Sequence, residues 1–386
     1  MKIVIAPDSF KGSLSAIEAA NAINRGVKKA YPEAETALVP VADGGEGTMR
    51  TLIAATDGEI KKANVLGPLG EKVEAEYGVL GDRKTCVIEM ATASGIDLVP
   101  TEKLSPLRTT TYGTGQLIMH ALDSGYTSFI LAIGGSATND GGAGMLQALG
   151  LGVFDKNGVE IGFGGGELSK VHSIDINGFD MRIKSCTFLI ASDVENPLVG
   201  PNGASHVFGP QKGANLSEVK LLDANLTHWA EKVEEITGVS LHNIPGAGAA
   251  GGIGGAFLAF FSAEMKPGIE VVLEYCNLER ALRNADLVIT GEGKVDYQTA
   301  SGKTPLGVAK AAMKQNIPTI IVAGAVGEGT EVLHDYGIVS INSIVKEPMS
   351  LDDSMTYARE LLAYCSEQVL RTYFYQTIRG RTSQCE

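Results

Sequence analysis

The chain has 386 residues, of which 44% are hydrophobic and 20% charged, and its formal net charge is −13. These values predict a folded protein with more than one domain and exclude an intrinsically disordered chain. The negative charge argues against nucleic acid or an anionic membrane as a partner, although it leaves room for a small anionic substrate.

Several short apolar runs break off into acidic or glycine-rich turns, and these runs are the predicted strands. They lie at residues 3–6, 38–42, 129–133, 187–191 and 287–290. Aliphatic runs without alternation are typical of parallel strands buried on both faces. Because ligands bind beyond the carboxyl ends of such strands, acids and glycines at these positions indicate an enzyme that handles phosphate.

The order of helices and strands predicts an α/β fold of two domains. A capping box at Ser15 and Glu18 predicts a helix after the first strand, and further helices are predicted over 116–123, over 217–236 and from about residue 350. The strands at 3–6, 38–42, 287–290, 319–323 and 338–342 alternate with helices except for one long gap. We therefore expect a flavodoxin-like, doubly wound parallel-sheet domain formed by residues 1–62 plus 285–386.

The gap itself predicts a second α/β domain, inserted at residues 63–284. Its sheet includes the runs at 73–80, 86–90, 129–133 and 187–191. The uncharged stretch 246–263 is rich in glycine and alanine, so it is interpreted as a buried, closely packed helix and not as a membrane span.

Two loops of the first domain carry candidate site residues. Asp8, Ser9 and Lys11 follow the first strand, where Lys11 is a suitable cation for a carboxylate or phosphate; the alternative is a shaped turn with a solvated lysine. Asp43, followed by two glycines, ends the second strand and could share a site with Asp8, or could simply form a tight turn.

Residues 134–144 form a glycine-rich segment, which resembles an anion nest between a strand and a helix. Close packing of helix on sheet is the alternative, because it also requires small residues. The candidate phosphate-binding residues are Gly134, Gly135, Ser136, Asn139 and Gly141.

Further acids follow two later strands: Asp193 in the inserted domain, and Glu292 and Asp296 in the first domain. The nearby Gly302-Lys303-Thr304 looks like the end of a Walker A loop, but Tyr297 occupies the position of its first glycine.

In this order, the segments resemble those of the bacterial glycerate kinases. The residues that carry the resemblance are 5–11, 40–47, 133–144, 162–166, 208–214, 245–252 and 289–296. The resemblance covers nearly the whole chain and implies ATP-dependent phosphorylation of D-glycerate with Mg²⁺, giving 2-phosphoglycerate or 3-phosphoglycerate. It also implies two domains, one of them flavodoxin-like. Leu104 and Ser105 replace residues that relatives carry as Arg followed by Asp or Asn, and Arg108 is the cation expected to compensate.

The resemblance suggests a role for each candidate, in a cleft between the two domains. Lys11, Arg108 and the amides around Ser9 would hold the substrate carboxylate, while the loop at 134–144 would hold nucleotide phosphates. Mg²⁺ would be bound by Asp43, Glu292 and Asp296. Asp193 is the first candidate to accept the hydroxyl proton, and Asp8 is the second.

Two alternatives remain at this stage: a kinase of a related small hydroxy acid, or a non-catalytic sensor of an organic acid or nucleotide. The five cysteines are scattered, which predicts reduced thiols and a cytoplasmic protein, and no signal peptide is expected. The oligomeric state is not predictable from these patterns.

Overall fold

The structure is a computed structural model that describes residues 1–375, apart from the side chain of Ser301. The chain divides into two compact units. Met1–Asp43 and the described residues from Ile269 onward form the first unit, and Gly44–Gly268 forms the second. The C-terminal tail, including Cys385, lies outside the described residues.

The β-strands of the described residues are numbered in chain order. They are β1 Lys2–Ile5, β2 Glu35–Leu38, β3 Glu59–Leu66, β4 Lys72–Val79, β5 Thr85–Glu89, β6 Ser128–Ala132, β7 Gly152–Phe154, β8 Ser173–Asp175, β9 Thr187–Ala191, β10 Ala263–Lys266, β11 Leu287–Thr290, β12 Lys294–Val295, β13 Thr319–Ala323, β14 Ala325–Val326 and β15 Ile338–Ser343.

The α-helices of the same residues follow the same scheme. They are α1 Ala16–Ala30, α2 Thr48–Thr56, α3 Ala91–Ser94, α4 Tyr112–Asp123, α5 Ala143–Ala148, α6 Ala204–Phe208, α7 Leu216–Thr237, α8 Ile253–Phe260, α9 Gly268–Tyr275, α10 Leu278–Leu282, α11 Thr304–Met313, α12 Leu351–Thr356 and α13 Ala358–Tyr373.

The first unit contains a five-stranded parallel sheet in the order β15-β13-β11-β1-β2. If its strands are counted along the chain, this order is 2-1-3-4-5, which is the flavodoxin-like arrangement. Ile320 and Val322 pack with α1 and α13 on one face, whereas Ile321 and Ala323 pack with α11 on the other. The predicted doubly wound α/β fold is thereby confirmed.

The second unit contains a six-stranded sheet in the order β10-β9-β6-β5-β4-β3. β5, β6, β9 and β10 are parallel, and β4 pairs antiparallel with both β5 and the edge strand β3. Glu89, Ala132 and Ala191 are register partners across β5, β6 and β9, so the loops after these three strands leave the same edge of the sheet.

The second strand of the first unit is Glu35–Leu38, and the prediction of residues 38–42 was wrong except at Leu38. Pro40 has no N–H and cannot donate within a regular ladder. The chain still follows β1 past the strand, because the N–H of Val39 donates to Ile5 O at 2.8 Å and that of Val41 to Pro7 O at 3.0 Å. The apolar run is therefore an irregular continuation of an edge strand.

Other differences from the predictions concern boundaries. The proposed domain boundary at residue 62 falls inside β3, which pairs with β4 in the second sheet, and α10 belongs to the first unit although it precedes residue 285. The stretch 246–263 is not one helix, because Ala250, Gly251 and Gly252 have positive φ and only Ile253–Phe260 is α-helical.

The C-terminal segment from residue 350 forms two helices, α12 and α13, which meet at Tyr357. In the described part of the chain, no helix combines the length and the apolar character needed to cross a membrane.

Candidate active site

Acidic residues of the first unit gather where three neighbouring strands of its sheet end. Asp8 follows β1 and Glu292 follows β11, and these two strands are paired through Ile5 and Ile289. Asp43 follows the extension of β2 on the other side of β1. The chain order reverses between β1 and β11, and this switch point is where open α/β sheets bind their ligands.

Asp8 is held rigidly by three hydrogen bonds. Its N–H donates to Gly291 O at 2.8 Å, which ties the loop after β1 to the loop after β11. Its carboxylate accepts from the Ser9 N–H and from the Thr304 hydroxyl, both at 2.6 Å. Because Thr304 is the first residue of α11, this helix orients the Asp8 carboxylate.

Glu292 is held in a similar way. Its Oε1 accepts a hydrogen bond of 2.6 Å from the Thr299 hydroxyl, and its residue exposure is 9%. Asp296 behaves differently, because its carboxylate pairs with Lys294 Nζ at 2.9 Å and accepts from the Gln298 N–H. These contacts hold the pKa of Asp296 below its usual range, with the Lys294 hydrogen bond as the main cause.

Burial and mutual repulsion give Asp8 and Glu292 unusual pKa values. Burial raises the pKa of Asp8 far above its usual range, and the charge of Asp43 raises it further, against the hydrogen bonds from Thr304 and Ser9. Burial also raises the pKa of Glu292 to about 7; Asp43 and Asp296 add to this, while Thr299 and Lys303 oppose it. In this group, the Asp8–Asp43–Glu292 cluster, a bound proton or cation would offset the negative charge.

The loop after β1 presents Lys11 to solvent. The N–H of Phe10 donates to Leu14 O, and Gly12 turns the loop with φ +74°. The Lys11 side chain is exposed, and its backbone lies against Gly293, since a Cβ at Gly293 would be 3.4 Å from Lys11 N. The Ser9 amide, predicted to bind substrate, already donates to Asp8.

In the second unit, the glycine-rich loop after β6 is held by hydrogen bonds from a threonine segment, residues 109–111. The Thr109 hydroxyl donates to Ala137 O at 2.7 Å, and the N–H and hydroxyl of Thr111 donate to Asp140 Oδ2 at 2.8 and 2.9 Å. Asp140 is 1% exposed. Burial raises its pKa, against the hydrogen bonds it accepts from Thr111, Gly142 and Gly144.

The loop has an exposed end and a buried end. Gly134 and Gly135 are exposed, and among the described residues their amides donate to no other group. Gly141 is buried: its N–H donates to Gly251 O, its O accepts from Trp229 Nε1, and a Cβ there would overlap the Trp229 ring. Asn139 donates to Ser205 Oγ at 2.9 Å. The buried end is built for close packing, and the exposed end has the free amides of an anion site.

The other two candidates of this unit are exposed. Asp193 follows β9, next to β6 in the sheet, and its Oδ1 accepts from the Gly268 N–H at 2.9 Å. Arg108 is exposed beside the supporting segment, immediately before Thr109.

Sequence reasoning missed two side chains that hold these acids and one buried acid elsewhere in the chain. Thr304 and Thr299 position Asp8 and Glu292, and the Gly-Lys-Thr pattern was a signal for Thr304 although it is not a Walker A loop. The third is Glu89, buried at the end of β5, which accepts the Met49 N–H at 2.7 Å where α2 begins. The sequence of one buried strand contains no signal that would identify such a residue.

Within residues 1–375, no group of three or more His, Cys, Asp or Glu side chains is arranged to hold a metal ion. The carboxylates of the Asp8–Asp43–Glu292 cluster act on one another electrostatically.

Comparison with known proteins identifies the family. A sequence model described as the glycerate kinase family matches residues 3–374. The chain is 52% identical over 372 residues to a glycerate 2-kinase of Escherichia coli K12, covering 96% of this chain and 98% of that one. It is also 52% identical over 362 residues to a glycerate kinase of Bacillus subtilis 168, covering 94% and 95%.

A solved structure agrees with this result. The crystal structure of a glycerate kinase 2 from Salmonella typhimurium LT2 superposes with a TM-score of 0.87 at 46% identity, covering 98% of this chain and 99% of the other. The chain therefore belongs to the glycerate kinase family, a family of phosphotransferases.

Proposed function

We propose that this protein transfers a phosphoryl group from ATP to a hydroxyl of D-glycerate, with Mg²⁺ as the metal. The observation that carries the proposal is the Asp8–Asp43–Glu292 cluster at the switch point of a flavodoxin-like sheet, in a chain of this family. Phosphoryl transfer depends mainly on positioning and charge stabilisation, which strand-end acids and amides supply.

The donor chemistry of the cluster fits Mg²⁺. Its groups are hard carboxylate oxygens, and Mg²⁺ in kinases is usually held by one or two carboxylates together with water and substrate phosphates. Asp43 and Glu292 would hold the ion, with Asp296 as a further candidate, and the ion would neutralise charge on the phosphates. The charge of Lys303 partly offsets that of Glu292.

The exposed end of the loop after β6 is the proposed binding site for the nucleotide phosphates. Gly134 and Gly135 offer free amides, and Ser136 adds a hydroxyl. Asn139 and Gly141 contribute from inside the protein by holding the loop in shape. Amides of this kind bind phosphate oxygens without a charged side chain at the surface.

The exposed cations Lys11 and Arg108 are the proposed substrate-binding residues. Asp193 is the proposed acceptor of the substrate hydroxyl proton, because it is exposed and follows the strand next to the proposed phosphate loop. Asp8 is the alternative, favoured by a pKa raised by burial toward the range of an effective general base.

The activity is tested by coupling ADP release to a reporter enzyme with D-glycerate, L-glycerate or no acceptor. We expect ADP release that requires D-glycerate and Mg²⁺. ADP release with a different hydroxy acid would reassign the substrate, and binding without turnover would favour a sensor. Phosphorus NMR of the product separates 2-phosphoglycerate, the expected product, from 3-phosphoglycerate.

The proton acceptor is tested by comparing Asp193→Asn with Asp8→Asn. We expect Asp193→Asn to lower kcat more than it raises KM for D-glycerate. A change in KM alone would assign Asp193 to binding and leave Asp8 as the acceptor.

We also propose the cytoplasm as the compartment, because the four described cysteines are unpaired.

A further inference from the structure

A lysine that lies outside the glycine-rich loop is buried directly behind it. Lys212 is 2% exposed, at the end of the turn Pro210–Lys212. Its Nζ donates to Ser136 Oγ and to Thr138 O, both at 2.6 Å. Among the described residues, no carboxylate lies within ion-pair distance of it, so this ammonium is buried without the partner that usually accompanies a buried charge.

The same segment contacts the loop a second time. Ser205, on α6, accepts the hydrogen bond from Asn139. Two consecutive loop residues nevertheless keep a buried side-chain oxygen without a partner, Thr138 Oγ1 and Asn139 Oδ1. Both residues are 0% exposed. The loop is thus fixed by residues 205–212, while part of its own hydrogen-bonding capacity stays unused.

The Ser136 hydroxyl links the lysine to the exposed end of the loop. A hydroxyl that accepts a hydrogen bond still has its own proton to donate. Ser136 follows Gly134 and Gly135, whose amides are exposed. An anion at these amides would therefore meet a hydroxyl that is polarised by a buried cation, in surroundings where charge is poorly screened.

If Lys212 served only to hold the loop in place, its side chain would not need a charge. A neutral side-chain amide could donate to Ser136 Oγ and Thr138 O at lower desolvation cost. Burial lowers the pKa of Lys212 to about 7, and Asp140 opposes this shift. The charge would be retained most firmly when an anion is bound nearby.

We propose that Lys212 is a positioning residue for nucleotide binding: it holds the loop at 134–136 in its phosphate-binding shape and acts on the bound phosphate through the Ser136 hydroxyl. The inference deepens the proposed function and rests on the nucleotide phosphates binding at this loop.

The test measures the Kd of adenylyl imidodiphosphate, with Mg²⁺ and without glycerate, by calorimetry between pH 6.5 and 8.5. The ratio of variant to wild-type Kd at each pH cancels the titration of the nucleotide. For Lys212→Gln we expect a ratio of about ten or more at pH 6.5, the usual worth of a charge-assisted hydrogen bond. The ratio should fall toward one at pH 8.5, because the wild-type lysine is then neutral.

If Lys212 only held the loop in place, the ratio of variant to wild-type Kd would not change with pH. That result would overturn the proposal. So would a ratio below three at pH 6.5, or an effect on glycerate affinity instead of nucleotide affinity. Ser136→Ala keeps the lysine in place, so it decides the question if Lys212→Gln fails to fold; the same pH-dependent ratio is expected.

Two control variants complete the experiment. Lys170→Gln removes an exposed lysine of the same unit that pairs with Glu167, and its ratio should be one. His206→Gln removes the other titratable side chain of residues 205–212 and should leave the pH dependence of the Kd ratio intact. Wild-type protein that binds no nucleotide would overturn both this inference and the loop assignment, whereas a failed glycerate assay with the expected ratios would overturn the reaction alone.

Discussion

At the scale of single residues, the proposed site combines buried acids held by threonine hydroxyls with charged groups that are exposed. Asp8 and Glu292 are buried and fixed by threonine hydroxyls, whereas Lys11 and Asp193 are exposed. Substitution of the first kind changes both stability and activity. Substitution of the exposed Lys11 should change activity alone, and this difference makes the roles testable.

Lys11→Met should lower kcat/KM for D-glycerate by about a hundredfold, on the order of 3 kcal/mol, because one donor to a developing or bound charge is lost. The melting temperature should barely change, since the side chain is exposed. Steady-state kinetics and thermal unfolding measure the two effects. Lys29→Met, an exposed lysine on α1, is the matched control, and equal kcat/KM in both variants would remove Lys11 from the site.

The buried carboxyl group of Glu89 should make the free energy of unfolding depend on pH. Burial raises its pKa to about 7 from an ordinary 4.5, against hydrogen bonds from Met49 and Gly47. The folded state therefore binds more protons than the unfolded state between these values, and the free energy of unfolding falls as pH rises from 4.5 to 7.

Glu89→Gln removes this titration and retains an acceptor for the Met49 N–H. Relative to the variant, the wild type should lose up to about 3 kcal/mol of unfolding free energy between pH 4.5 and pH 7. Urea unfolding of both proteins at several pH values measures the difference. Parallel stability curves would show that Glu89 does not titrate in this range.

At the scale of elements, the sequence was most informative where one physical cause dominates. The Ser15 capping box begins α1 as predicted, with the Glu18 N–H donating to Ser15 Oγ and the Ser15 N–H to the Glu18 carboxylate. The unalternating runs of β1, β11 and β13 are buried strands. Neighbouring strand ends then bring together acids that are far apart in the chain.

Sequence patterns failed where tertiary contacts decide the local conformation. Hydrophobicity placed the second strand over 38–42, but the partner strand β1 and the missing N–H of Pro40 shift it to Glu35–Leu38. The glycines of 134–144 fitted both an anion nest and close packing, and the structure shows packing at Gly141 and exposed amides at Gly134 and Gly135. Thr304 is 296 positions from Asp8 in the chain, and Thr299 follows Glu292 by seven, so no pattern paired either threonine with its acid.

The packing end of this loop can be tested with a pair of glycines. Gly141 and Gly158 both have positive φ, +63° and +76°, so alanine is strained at either. Only at Gly141 would the added Cβ overlap Trp229. We expect Gly141→Ala to lower unfolding free energy by at least about 1 kcal/mol more than Gly158→Ala.

Denaturant unfolding measures this difference, and the single tryptophan of the chain, Trp229, reports on the site by its fluorescence. The emission of Gly141→Ala should shift to the red as the buried ring is displaced, and that of Gly158→Ala should not. Equal losses with unchanged emission would mean that Gly141 is not a packing residue.

At the scale of the whole molecule, the first unit is built from two distant parts of the chain, Met1–Asp43 and the residues from Ile269 onward. Its sheet joins the two parts side by side, with β2 and β1 from the first part and β11, β13 and β15 from the second, and β11 pairs with β1. Asp8 and Asp43 come from the first part and Glu292 from the second. The cluster therefore exists only when both parts are folded together, which couples folding of this unit to the proposed metal site.

The most direct test of the account is the Mg²⁺ dependence of D-glycerate phosphorylation, with the rate measured against free Mg²⁺ at saturating ATP and D-glycerate. For Asp43→Asn and Glu292→Gln, the Mg²⁺ concentration that gives half-maximal rate should rise about tenfold or more, because a ligand or its close neighbour is lost. Glu331→Gln, an exposed acid of the same unit, should match the wild type. A Mg²⁺ dependence that is identical in all four proteins would contradict the assignment of this cluster as the metal site of the kinase.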